Sequence, residues 1–188
     1  MSSEWFPADE TKPAPMPLRL IQGFVNTFEF ETGIDLFSDR SAAEGWFRSA
    51  GLIRPSARVN RTELAEAVRI REALRSLLAG SNEEGSAAEL RHHLERAAPV
   101  LTVTDVGQIE VSLRPSATVG QALTQLLAVA FRAQVGGQWS RLKICRNPDC
   151  QWAFYDAARN RKGTWCSMSE CGNRLNNRTY RQRVRSST

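Results

Sequence analysis

The chain has 188 residues, 41% of them hydrophobic, with four cysteines and a formal charge of +5. That size holds one ordinary domain plus a small module. No stretch approaches the ~20 apolar residues of a membrane span, and the polar, Pro-rich start has no signal-length apolar run, so a soluble, cytoplasmic protein with no membrane role is expected. The charge is unevenly placed: residues 1–140 carry 14 Lys+Arg against 17 Asp+Glu, and residues 141–188 carry 11 against 3, net −3 and +8. Basicity confined to one small end points to a polyanionic partner, usually nucleic acid.

Residues 1–16, interrupted by Pro7, Pro13 and Pro15, read as a disordered leader. From Pro17, a residue suited to a helix start, Leu18, Ile21, Phe24, Val25 and Phe28 recur at helical spacing, which predicts a helix ending near Thr32-Gly33. Ile34 to Phe37 reads as a short extended link. Ser41 with Glu44 has the spacing of a capping box for a helix carrying Trp46 and Phe47, which Gly51 ends. Asn60 with Glu63 repeats that logic for a longer helix with a stripe of Leu64, Ala67, Val68, Leu74, Leu77 and Leu78, closed by Gly80. Ser86 with Glu89 begins another, ending before Pro99. Val100–Thr104 and Ile109–Arg114 alternate around a loop containing Gly107, a β-hairpin pattern. Thr118 then caps a helix apolar on nearly every side, hence buried, with Gly136-Gly137 as a hinge after it.

All four cysteines follow: Cys145, Cys150, Cys166 and Cys171, in two pairs with four residues inside each pair and fifteen between them. Short-spaced pairs at that separation read as one tetrahedral zinc site of four thiolates. Two disulfides are the competing pattern, and they require an oxidising compartment. A set of four thiolates leaves zinc no open position, so the metal is structural and no enzyme is expected. A segment of about 45 residues buries too little apolar surface to fold alone, so metal binding and folding should be one event. Asn147-Pro148-Asp149 is turn chemistry for a knuckle. Trp152–Asp156 and Thr164–Cys166 are expected to pair across the basic loop Arg159-Asn160-Arg161-Lys162-Gly163, with Ser169 capping a terminal helix. Trp152, Phe154, Trp165 and Leu175 are the expected small core. Gly172 is expected where the backbone approaches closely, and Asn173 to bond a carbonyl or sulfur.

Cys145-Arg146-Asn147-Pro148-Asp149-Cys150, Trp152 to Asp156, Trp165-Cys166-Ser167-Met168 and above all Cys171-Gly172-Asn173-Arg174 resemble the CGNR zinc-finger family of bacterial transcription regulators. Phe24-Val25-Asn26-Thr27 and Trp46 to Leu52 resemble the ABATE domain that accompanies that finger. Leu175, Asn176 and Asn177 follow the motif where relatives often carry Lys or Arg. The fold expected is α+β: a mainly helical domain with one β-hairpin over residues 17–137, then a small treble-clef-like zinc finger with a basic terminal helix over 138–188.

Arg174, Arg178, Arg181 and Arg185 are spaced to share one helix face, and with Arg161 and Lys162 they are the expected nucleic-acid contacts. Most would meet phosphates and only one or two could read base edges. Asn26 and Thr27 are candidates to line a pocket for a small-molecule effector, against the alternative of a buried hydrogen bond. Adjacent His92 and His93 point to different helix faces and do not share a metal. The function expected is zinc-dependent binding of duplex DNA by a transcription regulator, whose first domain senses a ligand or mediates association, a homo-oligomer included. A zinc module for RNA or a protein partner and a thiol-based redox sensor remain open.

Overall fold

The computed structural model describes residues 5–81, 84–97 and 101–174. It is α+β, as expected. In chain order come helix α1 (Arg19–Val25), strands β1 (Phe28–Glu29) and β2 (Ile34–Asp35), helices α2 (Arg40–Ser49), α3 (Arg61–Ala79) and α4 (Glu84–Arg96), strands β3 (Leu101–Val103) and β4 (Ile109–Val111), helix α5 (Val119–Val135), and strands β5 (Leu142–Ile144) and β6 (Ala153–Tyr155). Among the described residues the strands pair as three antiparallel hairpins, β1 with β2, β3 with β4 and β5 with β6.

Two helix starts follow the sequence closely. Asn60 accepts from the Glu63 N–H at 2.9 Å while Glu63 accepts from the Asn60 N–H at 3.1 Å, and Gly80 ends α3 at φ +71°. Thr118 caps α5, whose Ala122, Leu123 and Leu126 are fully buried. Phe24, Phe37, Trp46 and Phe47 meet in one aromatic cluster between α1, α2 and the turn after β2, Phe37 stacking on Phe47 with ring centroids 5.4 Å apart.

Several expectations are corrected. The first helix stops at Val25, not near Gly33. Phe28-Glu29-Phe30-Glu31 also alternates with a period of two, and Gly33 at φ +72° supplies the turn, so this stretch folds as the hairpin Phe28↔Asp35, Glu29↔Ile34. Asp39, not Ser41, caps α2, accepting from the Ala42 N–H at 2.7 Å; Glu44 instead accepts from the Val59 N–H at 3.0 Å. Helix α4 begins at Glu84, ahead of Ser86.

Residues 5–16 are not a loose leader either. The Ala14 N–H donates to Gln22 Oε1 at 2.7 Å, Trp46 Nε1 donates to the Trp5 carbonyl at 2.9 Å, and a Cβ on Gly23 would lie 3.2 Å from the Trp5 ring. The prolines that break regular structure leave a run of turns and bends, and that chain is held by side-chain bonds to its backbone. Among the described residues no helix is long and apolar enough to cross a membrane.

Helix α3 holds a further surprise. Ala67, Ile70 and Leu74 are buried as its stripe requires, but Leu77 and Leu78 are half-buried, whereas Arg71 and Arg75 are 2% and 4% exposed. Arg71 grips Asp35 with two bonds of 2.6 and 2.9 Å and Glu72 with one of 2.7 Å, under the rings of Phe28 and Phe37. A buried charge is tolerated when it is paired and hydrogen-bonded, and Arg71 is both.

Candidate metal centre

The β5–β6 hairpin brings the first cysteine pair together. Cys145 directly follows β5, with its N–H bonded to the Trp152 carbonyl at 2.9 Å. The Asn147 carbonyl accepts from Cys150 and Gln151, and Asn147 Oδ1 accepts from the Asp149 N–H, so the predicted Asn-Pro-Asp turn closes the knuckle. In the second pair Cys166 precedes and Cys171 lies within one π-helical turn over Met168–Gly172, capped by Ser167, whose hydroxyl accepts from the Glu170 N–H at 3.3 Å. That turn leaves no room above Gly172, where a Cβ would lie 2.5 Å from Met168 Sδ and 3.0 Å from Trp165 Cδ1. Ser169 therefore does not cap. Nor does Thr164–Cys166 pair with Trp152–Asp156: the partner is Leu142–Ile144, and Thr164 gives only its carbonyl to the Arg146 N–H.

The four sulfurs lie within 4.8 Å of one another. Cys150 and Cys166 are 3.6 Å apart and Cys166 and Cys171 3.7 Å, far beyond a disulfide bond of about 2.05 Å. A tetrahedral ion with metal–sulfur bonds of about 2.3 Å has edges of about 3.8 Å, so these four side chains fit a four-coordinate metal. Asn147 Nδ2 points a donor at Cys171 Sγ from 3.6 Å, the kind of outer bond that steadies a thiolate ligand. Thiols this close cannot titrate independently. Hydrogen bonds from Cys150 and Cys166 hold Cys145 far below an ordinary thiol, while bonding to Cys145 pushes both partners up. Among the described residues no other group of three or more His, Cys, Asp or Glu side chains converges in this way.

The model of the ABATE family, described as "Putative stress-induced transcription regulator", matches residues 18–136, well over half of the chain. The chain belongs to the ABATE family. The CGNR zinc finger model matches residues 141–184, and so takes in all four cysteines. No curated protein matches the chain. Neither family description names an enzyme.

The ABATE part and the CGNR finger share one core. Leu142 and Ala153 of the finger hairpin, 2% and 0% exposed, pack with α1, α3 and α5, while Cys145, Phe154 and Cys171, with Cys150, Trp152, Trp165 and Cys166 at the edge, form a separate cluster around the metal site. Leu175, the fourth expected core residue, lies outside the described residues. Asn26 serves this join, and Asn26 and Thr27 both line a cavity of about 320 Å³ with Trp5, Phe6, Trp46 and Trp152. Asn26 Nδ2 donates to the Ala153 carbonyl at 2.9 Å and its Oδ1 accepts from the Ala153 N–H at 2.8 Å; Thr27 donates to the Phe24 carbonyl and accepts from Arg71. Arg75 adds a bond of 2.9 Å to the carbonyl of Gln151, which sits at φ +48° directly after Cys150. Asn26→Ala removes both bonds to buried Ala153, and at ~1 kcal/mol each a loss of about 2 kcal/mol in urea denaturation is expected.

Among the described residues, Arg161 and Lys162 do not share a surface with Arg174. Arg174 forms an ion pair with Glu31 of the ABATE part. Arg161 and Lys162 line a groove that also holds Cys145, whereas Glu31 lines a separate cleft with Cys150, Cys166 and Cys171. Arg178, Arg181 and Arg185 lie outside the described residues. Asn173 makes its bonds through its backbone N–H, to Glu170 and Met168, and the sulfur contact belongs to Asn147. His93 is buried between Glu66 at 2.8 Å and Thr124 at 3.0 Å, while exposed His92 meets Arg96.

Sequence reasoning missed Asn147 as a sulfur partner and Asp156 as the organiser of the basic loop. Asp156, 4% exposed, accepts from the Gly163 N–H at 2.7 Å, the Ala158 N–H at 3.1 Å and Lys143 Nζ at 2.8 Å. Burial works against its charge, but the Lys143 and backbone bonds outweigh it and hold the carboxyl below its ordinary range. The signal was present as an acid ahead of a loop of cations that ends in glycine.

Proposed function

We propose that this chain is a zinc-dependent DNA-binding transcription regulator of the cytoplasm, with zinc as a structural ion held by Cys145, Cys150, Cys166 and Cys171. The observation that carries this reading is the four-sulfur cluster with the edge lengths of a zinc–thiolate tetrahedron, set in the stretch 141–188 that holds 11 Lys+Arg against 3 Asp+Glu. The ion supplies folding energy and no chemistry, because four thiolates leave it no open position. Duplex DNA is the partner and phosphates are the main contacts. The shared core supports a coupling role for the ABATE part, through which an effector or self-association reaches the finger by way of Asn26 and Arg75.

Binding of a duplex across a salt series tests this. Engagement of about five phosphates gives a slope of log affinity on log salt near −4.5, a loss of roughly 500-fold between 50 and 200 mM. A flat response, or binding to RNA alone, would sink the reading.

A further inference from the structure

The finger is electrically two-faced. On one side of the metal site, a cleft of about 530 Å³ is lined by Asp9, Glu10, Glu29, Glu31 and Glu170 and by no Lys or Arg among the described residues. On the other, a groove of about 700 Å³ between the end of α3 and the knuckle is lined by Lys143, Arg146, Arg161 and Lys162 and by no Asp or Glu among the described residues. From this asymmetry we infer that the groove is the seat of the DNA phosphate backbone, with Arg146, Arg161 and Lys162 as its contacts and the Asp156–Lys143 pair as the device that positions them. The inference rests on the DNA-binding reading and names its surface.

Three features make the groove a built site rather than a scatter of surface charge. Arg146, Arg161 and Lys162 form no ion pair among the described residues, so their charges are available to a ligand. Lys143 is committed inward, with Nζ bonded to Asp156 at 2.8 Å, to the Arg161 carbonyl at 2.5 Å and to the Gly163 carbonyl at 3.2 Å. The loop is also locked: Arg161 is held at φ +52°, and a Cβ on Gly163 would lie 2.8 Å from the Asp156 carboxyl carbon. Ordering of the loop is thus complete before DNA arrives, which spares binding that entropy. The Arg146 N–H, bonded to the Thr164 carbonyl at 3.1 Å, ties the knuckle cation to the same loop. Across the groove, α3 presents its carboxyl end at Leu78 and Ala79, whose carbonyl dipoles repel anions. Phosphates are therefore held against the finger wall.

The test is binding of a random-sequence duplex by the full zinc-loaded chain. Arg146→Ala with Lys162→Ala, two exposed side chains that bond nothing in the fold, removes two phosphate contacts. The salt slope falls in magnitude by about 1.8 and affinity at 100 mM salt drops roughly 60-fold, equally for all sequences. Arg40→Ala with Arg91→Ala, the same change in net charge on exposed cations remote from the groove, leaves the slope unchanged. If the alanine pair lost its zinc, Arg146→Gln with Lys162→Gln gives the same readout with the side-chain stems kept. Wild-type binding that neither groove pair weakens overturns the groove and leaves DNA binding standing. A wild-type chain that does not bind duplex at 50 mM salt, or binds only RNA, overturns both.

Discussion

Cys166→Ser should cost the chain its metal and its DNA binding together, while most of the fold survives. Structural zinc contributes an apparent ~10–16 kcal/mol in small fingers, so one thiolate of four is worth about 2.5–4 kcal/mol, or about 70- to 900-fold in metal affinity. The three remaining sulfurs, within 4.8 Å of one another, are then left as competing thiols rather than ligands, and the π-helical turn that carries Cys171 loses the centre that holds it. The fold retained is a consequence of the shared core. Leu142 and Ala153 are anchored among α1, α3 and α5 by packing that involves no metal, and Asn26 and Arg75 bond the hairpin backbone from the same side. Zinc titration against a chromophoric chelator, duplex binding and hydrogen exchange are the readouts. Loss of protection should be confined to the knuckle and residues 158–174, with α3 and α5 still protected. Global loss of protection would show that the metal supports the whole chain.

Asp35→Ala should destabilise the ABATE part by about 3 kcal/mol in urea denaturation, since removing one partner of a buried pair typically costs 3–5 kcal/mol and Glu72 remains to meet Arg71. Arg71 cannot reach water to recover the loss, being 2% exposed. The same pair sets an acid limb of stability. Burial tends to raise the Asp35 carboxyl, but the hydrogen bonds from Arg71 and the Phe37 N–H and the charges of Arg71 and Arg75 outweigh it, leaving its pKa below the ordinary 3.8. The unfolded chain therefore takes up this proton first as pH falls. The contribution of Asp35 is present above about pH 4 and is lost as pH falls from there through the folded value. Asp35→Asn should flatten that limb in an acid titration of stability; an unchanged limb would assign it to other carboxylates.

Much of the site was legible in the residues. Paired cysteines at fixed short spacing define a metal cluster because two tight turns can each present two sulfurs, whatever the rest of the chain does. The Asn60–Glu63 box, the Gly80 stop, the Thr118 cap and the β3–β4 hairpin were legible for the same reason, since each is set by bonds within a few residues. Local signals failed where two were superimposed. Phe28 to Glu31 satisfies helical and strand periods alike, and only Asp35 meeting Arg71 across the core shows the second to hold.

By itself, then, the amino-acid sequence determined the metal-binding cysteines, the fold class and the segregation of positive charge into the last quarter of the chain, because these depend on composition and near-neighbour geometry. Tertiary structure alone decided that residues 5–16 are packed, that the finger hairpin is continuous with the ABATE core, and that Asn26 brackets the finger hairpin. It also divided the finger between a basic groove and an acidic cleft, separating Arg161 and Lys162 from Arg174. Those outcomes depend on which distant side chains come to share one space, and no periodicity or spacing along the chain carries that information.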